Sequence, residues 1–389
     1  MKKLMSGMIY AWYAAYYIFA YVIGLFARQL PYYKNLWLIA ERKTDARDNG
    51  LHFFRYLTKQ QPEINTAFII EKQSSDYERV KKLGKTIEPY TFRHMLAFAC
   101  AKVRISTHYM GCSFDAYRFM RLDKFRLVRG KNVLIRHGIT ANDLSELHYP
   151  EARPDLMVCS AVPEYEDMTA HYSQPEGVIQ MLGLCRYDRL SETHETKKQI
   201  LIMPTWRYFL SSVSDETFQK SDYYRIFMEI LSSDVLAEAL ERYDFKVVFY
   251  LHYVLQPYTK LFHTENPRIE VKTLGECDVQ DLLMESAMLI TDYSSVFFDF
   301  AYMEKPLAYL QFDEETFFAT QYKRGYFNCH TDGFGPVFQR ADKTVEYICE
   351  TLSRGMKMEA DYVERVERFF GERSANHCER TFQAIRKIL

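Results

Sequence analysis

The sequence predicts an α/β protein built from two successive doubly wound domains. Three observations carry that expectation. Short apolar runs of strand length alternate with helical stretches through residues 36–185. The alternation restarts after a polar cluster at 183–198. Strands that alternate with helices form parallel sheets, because each parallel crossover needs a helix. Finally, several apolar runs lead directly into polar or charged turns, and ligands of open parallel sheets bind beyond the carboxyl ends of the strands. Two such domains in succession predict a cleft between those ends.

Composition narrows the class. The chain has 389 residues, enough for about two or three domains with sizeable cores. The formal charge of -1 supplies no global field to recruit nucleic acid. Eight scattered cysteines, with no Cys-x-x-Cys pair, argue against a zinc site or a disulfide framework. With 30 Tyr and 28 Phe the chain is no disordered segment; it suits a large folded enzyme or a membrane-surface protein.

Residues 9–26 are uncharged and mostly apolar, bounded by Lys2-Lys3 and Arg28. That run reaches the lower edge of the ~17–25 residues needed to cross a bilayer. Its Tyr10, Trp12, Tyr13, Tyr16, Tyr17 and Tyr21 are residue types of the membrane–water interface. Three readings stay open: a helix lying in the interface, a single span, or a core or oligomer helix. Downstream, apolar runs predict strands at 37–40, 66–70, 103–106, 133–135, 156–159 and 178–181. Helices are expected between them at 48–60, 75–83, 95–100 and 164–171. The second series predicts strands at 200–203, 246–251, 269–272, 288–290 and 307–310, with helices at 223–242, 279–286 and 296–302. Helices at 344–352, 360–370 and 375–388 close the chain.

The turn after the 288–290 strand organises the second series. Its sequence is Thr291-Asp292-Tyr293-Ser294-Ser295, followed by a helix with an apolar face. Serine caps a helix start through its side-chain oxygen. The free N–H groups and partial positive charge there suit a phosphate. Asp299 falls one turn on, on the same face as Ser295. An ordinary capped helix is the alternative.

Three further constellations fall at strand ends. His137 stands between Arg136 and Gly138 after the 133–135 strand. A histidine accepts a proton near neutral pH if it reaches the acceptor hydroxyl, and Gly138 keeps that approach clear. The alternative is a histidine satisfied by backbone. In Met203-Pro204-Thr205-Trp206-Arg207, Pro204 stops the strand, and Thr205 and Arg207 are expected to project into the loop. Arginine suits bidentate phosphate contacts, and Trp206 a base or a sugar; the alternative is a surface arginine over a buried tryptophan. His252 follows Phe249-Tyr250-Leu251 and either donates to a phosphate oxygen or is structural. Loops around Arg324-Gly325 and Gly335-Pro336-Val337 are expected to bring backbone N–H groups near a ligand. Arg118, Arg121, Lys124, Arg126, Arg129 and Lys131 form a basic run, either a solvated face or a contact to lipid or acceptor phosphates. No Walker loop, dinucleotide fingerprint or Asp-x-Asp metal cluster appears.

In order and spacing, these motifs resemble the CDP-glycerol glycerophosphotransferase family, the teichoic-acid primases and polymerases of bacterial cell walls. The residues that carry the resemblance are His137-Gly138, then Gly183-Leu184-Cys185-Arg186-Tyr187-Asp188, then Pro204-Thr205-Trp206-Arg207. His252, the run from Thr291 to Asp299, and Gly335-Pro336-Val337 complete the set, which covers residues ~36–389. The family's His-Gly loop continues Thr-Pro, where this chain has Ile139-Thr140, and Tyr253 stands where the family often has proline.

The resemblance implies a GT-B fold, with a membrane-associated helix at 1–30, an acceptor domain at 31–190, a CDP-donor domain at 191–365, and 366–389 crossing back to the first domain. It implies a CDP-activated polyol phosphate donor, a lipid-linked or polyol-phosphate acceptor, and no metal or other cofactor in the chemical step. The expected location is the cytoplasmic face of the bacterial plasma membrane, peripheral or single-anchored. His137 is then the base and His252 the group stabilising charge on the leaving group. Arg186, Thr205, Arg207, Ser294, Ser295 and Asp299 would hold the donor, with Gly138, Arg324 and Gly335 in loops near the site. A nucleotide-sugar glycosyltransferase of the same fold is the competing expectation, and a non-catalytic membrane scaffold a third.

Overall fold

The computed structural model describes residues 2–192 and 195–389, and the chain divides into two compact units. The first comprises 1–139, 144–189 and 374–389; the second comprises 140–143 and 190–373. Residues 374–389 thus belong to the first unit.

The first unit holds a fully parallel seven-stranded sheet. Its strands are β1 (Trp37–Ala40), β2 (Thr66–Ile69), β3 (Lys85–Ile87), β4 (Val103–Ser106), β5 (Lys131–Leu134), β6 (Leu156–Cys159) and β7 (Ile179–Met181). Their order is β3-β2-β1-β4-β5-β6-β7, so the winding reverses between β1 and β4. The central strands are buried on both faces, as a parallel sheet covered by helices requires. Alternate residues feed two cores: Leu38, Ala67 and Leu134 on one face, Ile39, Phe68 and Val133 on the other. The helix Asn49–Gln60, capped by Asp48, packs beside the C-terminal helix His377–Lys387 on the second face.

The N-terminal helix Lys2–Ala27 is part of this unit's core. It lies along the helix Phe92–Cys100, with Tyr17 3 % exposed and Ala20 wholly buried. Gly24 permits that approach, because a Cβ there would sit 3.1 Å from the Cys100 sulfur. Tyr17 also accepts the Arg129 N–H at 3.0 Å. The opposite face carries Trp12, Ile18, Phe19, Val22, Leu25 and Phe26, all exposed. The helix thus has two apolar faces, of which the protein covers one.

The second unit repeats the plan with six parallel strands. They are β8 (Gln199–Ile202), β9 (Lys246–Tyr250), β10 (Ile269–Lys272), β11 (Met288–Thr291), β12 (Leu307–Leu310) and β13 (Val337–Phe338), in the order β10-β9-β8-β11-β12-β13. The reversal falls between β8 and β11. One face packs Ile200, Val247, Phe249, Ile290 and Leu310 under helices that include Asp222–Leu231 and Ala341–Ser353.

Several elements differ from expectation, among them the unpredicted strands β3 and β13. The helix predicted at 223–242 is two helices, Asp222–Leu231 and Asp234–Tyr243. Ser233 starts the second by accepting the Leu236 N–H, a cap that outcompetes continuation. The basic run contains a helix, Ala116–Lys124, capped by Asp115. Arg118 and Arg121 lie over the Tyr10 ring, at 5.8 and 5.3 Å, so this run adjoins the N-terminal helix.

Candidate functional site

In the first unit β4 and β5 are adjacent and in register, with Ser106 opposite Leu134. Each runs into a polar turn. The turn after β5 bends at Arg136, whose φ of 56 lies in the left-handed region; the residue adopting it is therefore Arg136 and not Gly138. Such a conformation is disfavoured for a side chain other than glycine, and the surroundings hold it. The buried Arg136 guanidinium pairs with buried Glu164 at 3.4 Å. Glu164 is oriented in turn by the Ser160 N–H at 2.8 Å. The Asn49 amide donates to the Arg136 carbonyl at 2.8 Å and accepts the Arg186 N–H at 2.9 Å.

Arg186 also bears on His137, though not as expected. Its guanidinium donates to the His137 carbonyl at 2.6 Å and pairs with Asp48 at 2.8 Å. It clamps the turn instead of presenting a free fork to a phosphate. The rest of the Gly183-to-Asp188 segment is structural too. A Cβ at Gly183, whose φ is +82, would fall 1.9 Å from His377 Nδ1. Asp188 accepts the His377 and Cys378 N–H groups at 2.6 and 3.0 Å, tying down the C-terminal helix.

His137 itself remains exposed at the end of this brace. Protein crowding the ring withdraws hydration from the imidazolium, and His108, Arg136, Arg186 and Arg42 add repulsion. Together they push its pKa down to about 3, so the imidazole is neutral and able to accept a proton across the physiological range. His108, in the turn after β4, lies stacked against it. The sequence reading missed His108, Asn49 and Glu164. A polar residue shortly after a strand was the available signal for His108.

In the second unit the strand order brings three predicted loops together. β9, β8 and β11 are neighbours, so His252, the Thr205–Arg207 loop and the Ser294-Ser295 turn all follow the carboxyl ends of adjacent strands. Asp292 links two of them. Its carboxylate accepts the Thr205 N–H at 2.8 Å and the Tyr293 N–H at 2.6 Å. Arg207 completes the link, pairing with Asp292 at 2.9 Å and with Asp313 at 2.6 Å.

This corrects the expected role of Arg207. Its side chain is 0 % exposed, enclosed by the rings of Tyr293, Phe317, Tyr223 and Phe312 at 5.0–5.5 Å. Burial opposes its charge, but Asp292 and Asp313 outweigh that effect, so it stays protonated. The arginine braces the turn from inside and presents nothing to a ligand. Trp206 is only half-buried and lies nearly parallel to His252, with ring centroids 6.2 Å apart.

Ser295 occupies the start of the short helix Val296–Tyr302, yet its hydroxyl makes no capping bond. Neither serine hydroxyl is engaged among the described residues. Ser294 is half-buried and Ser295 exposed, whereas Asp299 is only 5 % exposed. Arg324 is exposed and pairs with Glu314 at 2.8 Å. Gly335 does not belong to the site. A Cβ there would lie 1.9 Å from the Leu307 carbonyl, at the amino end of β12, so this glycine serves sheet packing. A cavity of about 590 Å³ elsewhere in the unit, lined by Leu190, Ser191, Tyr302, Glu367, Gly371 and Arg373, contains none of the predicted residues. Among the described residues no group of three or more His, Cys, Asp or Glu side chains is placed to hold a metal.

Known proteins agree with this architecture. The structure of the wall teichoic acid polymerase TagF superposes with a TM-score of 0.66 over 92 % of this chain and 89 % of that one, at 16 % identity. A variant of it soaked with CDPG gives 0.64 at 14 % identity, over 91 % of this chain and 88 % of that one. These likenesses show the fold, an α/β fold of the GT-B type. In sequence, the minor teichoic acid biosynthesis protein GgaB of Bacillus subtilis (strain 168) is 31 % identical over 100 % of this chain and 42 % of its own length. The teichoic acid poly(glycerol phosphate) polymerase of the same strain is 27 % identical over 49 % of this chain and 24 % of its own length. The chain thus spans less than half of these relatives. The family described as CDP-Glycerol:Poly(glycerophosphate) glycerophosphotransferase matches residues 24–387, nearly the whole chain, and the protein belongs to that family.

Proposed function

We propose that this protein transfers a polyol phosphate, glycerol phosphate foremost, from a CDP-activated donor to a hydroxyl of a lipid-linked or polyol-phosphate acceptor. The observation that carries the reading is His137: a neutral, exposed imidazole at a strand end, held by a braced turn. The acceptor hydroxyl attacks the distal phosphorus of the donor diphosphate. The bond from that phosphorus to the CMP oxygen breaks, and the hydroxyl proton passes to His137. Such transfers depend mainly on positioning and charge stabilisation, with little covalent work for the protein. Ser294, Ser295 and His252 hold the diphosphate, and Trp206 flanks it. Asp292 and Arg207 act one layer behind, fixing the loops that carry those groups.

The N-terminal helix supports a membrane-surface location, on the cytoplasmic face where a nucleotide donor is available. It carries an exposed apolar stripe, and the cations Arg118 and Arg121 lie over its Tyr10 ring. Its other side is packed lengthwise on Phe92–Cys100, which favours a helix lying in the interface over one crossing the bilayer. The test of the reaction is CMP release with CDP-glycerol, CDP-ribitol and UDP-sugars in parallel. His137→Ala is expected to lose about 10²–10⁴-fold in turnover, the usual worth of a positioned base, with donor affinity retained. Turnover of UDP-sugars alone, or wild-type turnover by His137→Ala, overturns the reading.

A further inference from the structure

His137 has a partner for which the proposed reaction has so far had no use. The His108 and His137 rings lie face to face, with centroids 4.9 Å apart and planes within 2°. Both residues are exposed beyond the carboxyl ends of adjacent strands. The His108 turn is itself tightly built. Its carbonyl accepts the Ser106 hydroxyl at 2.7 Å and the Gly111 N–H at 2.8 Å. A Cβ at Gly111 would come within 2.9 Å of that same carbonyl. Thr107 Oγ1 lies 3.1 Å from His108 Nδ1 and sets the ring's rotation. On the other side, Arg186 holds the His137 carbonyl, and Asn49 holds the carbonyl of the preceding Arg136. The stack is therefore fixed from both of its ends.

We propose that His108 is a positioning residue for His137: its neutral ring supports the His137 ring in the plane from which it takes the acceptor's proton. The inference rests on the reading of His137 as the base. An aromatic face attracts a cation within about 6 Å of its centroid. The imidazolium that forms on His137 is thus stabilised by a neutral His108 beneath it. A second proton, on His108, would set two like charges against each other, so the pair carries at most one. Burial disfavours a proton on either ring in the free protein; Arg136, Arg186 and Arg42 add repulsion at His137, and Arg42 at His108, with Asp48 held on Arg186. The negative charge of a bound diphosphate would counter them and favour the proton on His137.

Two variants separate this role from bulk packing. His108→Ala removes the ring, and His108→Phe retains an aromatic face without a titratable group. His108→Ala is expected to lower kcat roughly 3- to 30-fold with the donor KM within about twofold, and His108→Phe to recover most of that loss. Histidine-selective NMR supplies a readout independent of activity. The ring-current shift of the His137 ring protons should vanish in His108→Ala and persist in His108→Phe. Equal losses in both variants, no loss in either, or an unchanged His137 shift in His108→Ala overturns the inference. Activity unchanged in His108→Ala but abolished in His137→Ala ends the His108 role alone; full activity in His137→Ala ends the base assignment and this inference with it.

Discussion

At the scale of single residues, the notable feature is an imidazole, the proposed base, held far from its ordinary titration range. With a folded pKa of about 3, His137 is unprotonated above pH 4 in the free protein, and protonation is lost as pH rises through that value. The acid limb of kcat/KM, which reports the free enzyme, should therefore lie well below pH 6.5. The limb of kcat reports the donor complex and should lie higher, because the diphosphate offsets Arg136, Arg186 and Arg42. Rate profiles from pH 4.5 to 8.5 check both statements. A kcat/KM limb centred near 6.5 would exclude His137, in this environment, as the base. A low pKa makes a weak base, so the proposed mechanism requires that upward shift: His137 becomes the stronger proton acceptor once the donor is bound.

At the scale of elements, the Arg207–Asp292 brace of the second unit separates residues proposed to touch a ligand from residues that hold loops. Arg207→Met would leave Asp292 buried without its cation, a change that costs about 3–5 kcal/mol. Thermal or urea unfolding is expected to register that loss, along with reduced turnover. Ser294→Ala and Ser295→Ala should behave in the opposite way. Their hydroxyls cap no helix, so stability should stay within about 0.5 kcal/mol of wild type. Donor affinity should fall about 2- to 10-fold for each hydroxyl lost from a phosphate. Calorimetric titration with CDP-glycerol checks this, and unaltered affinity in both variants would remove the serines from the site.

These contrasts mark what could be read locally. Ser294, Ser295, His137 and His252 follow strands whose apolar runs are visible in the chain, so their place at carboxyl ends was legible. Arg186 and Arg207 were legible as strand-end arginines, but their function was not. The partner of Arg186 is 138 residues away, and Asp313 lies 106 residues from Arg207. Gly335 was misread for a related reason. A Gly-Pro loop looks the same at either end of a strand, and only the pairing of β13 with β12 puts it at the amino end.

At the scale of the whole molecule, the apolar N-terminal helix is explained on one face only. Tyr17, Ala20 and Gly24 belong to the first unit's core, so deleting the helix would uncover Phe98 and Met95 and confound any fractionation result. The informative variant is Trp12→Ser, Phe19→Ser and Phe26→Ser combined. All three side chains are exposed, Phe26 at 78 %. Burying a large apolar side chain in the interface contributes about 1.5–3 kcal/mol, so the triple variant should lose vesicle binding by well over tenfold while its melting temperature holds. Co-sedimentation with vesicles containing anionic lipid checks the prediction, and unchanged binding would reassign the stripe to another role.

By itself the sequence determined the alternation of strands and helices, the division into two α/β series, the polar turns at strand ends and the doubly apolar first helix. These follow from periodicity and from short-range turn chemistry, which neighbouring residues encode. Only the tertiary structure decided which turns stand side by side, which arginines are spent on buried carboxylates, and that His108 lies stacked on His137. Those outcomes depend on strand order and on crossovers that join residues a hundred or more positions apart, and local propensity carries no record of them.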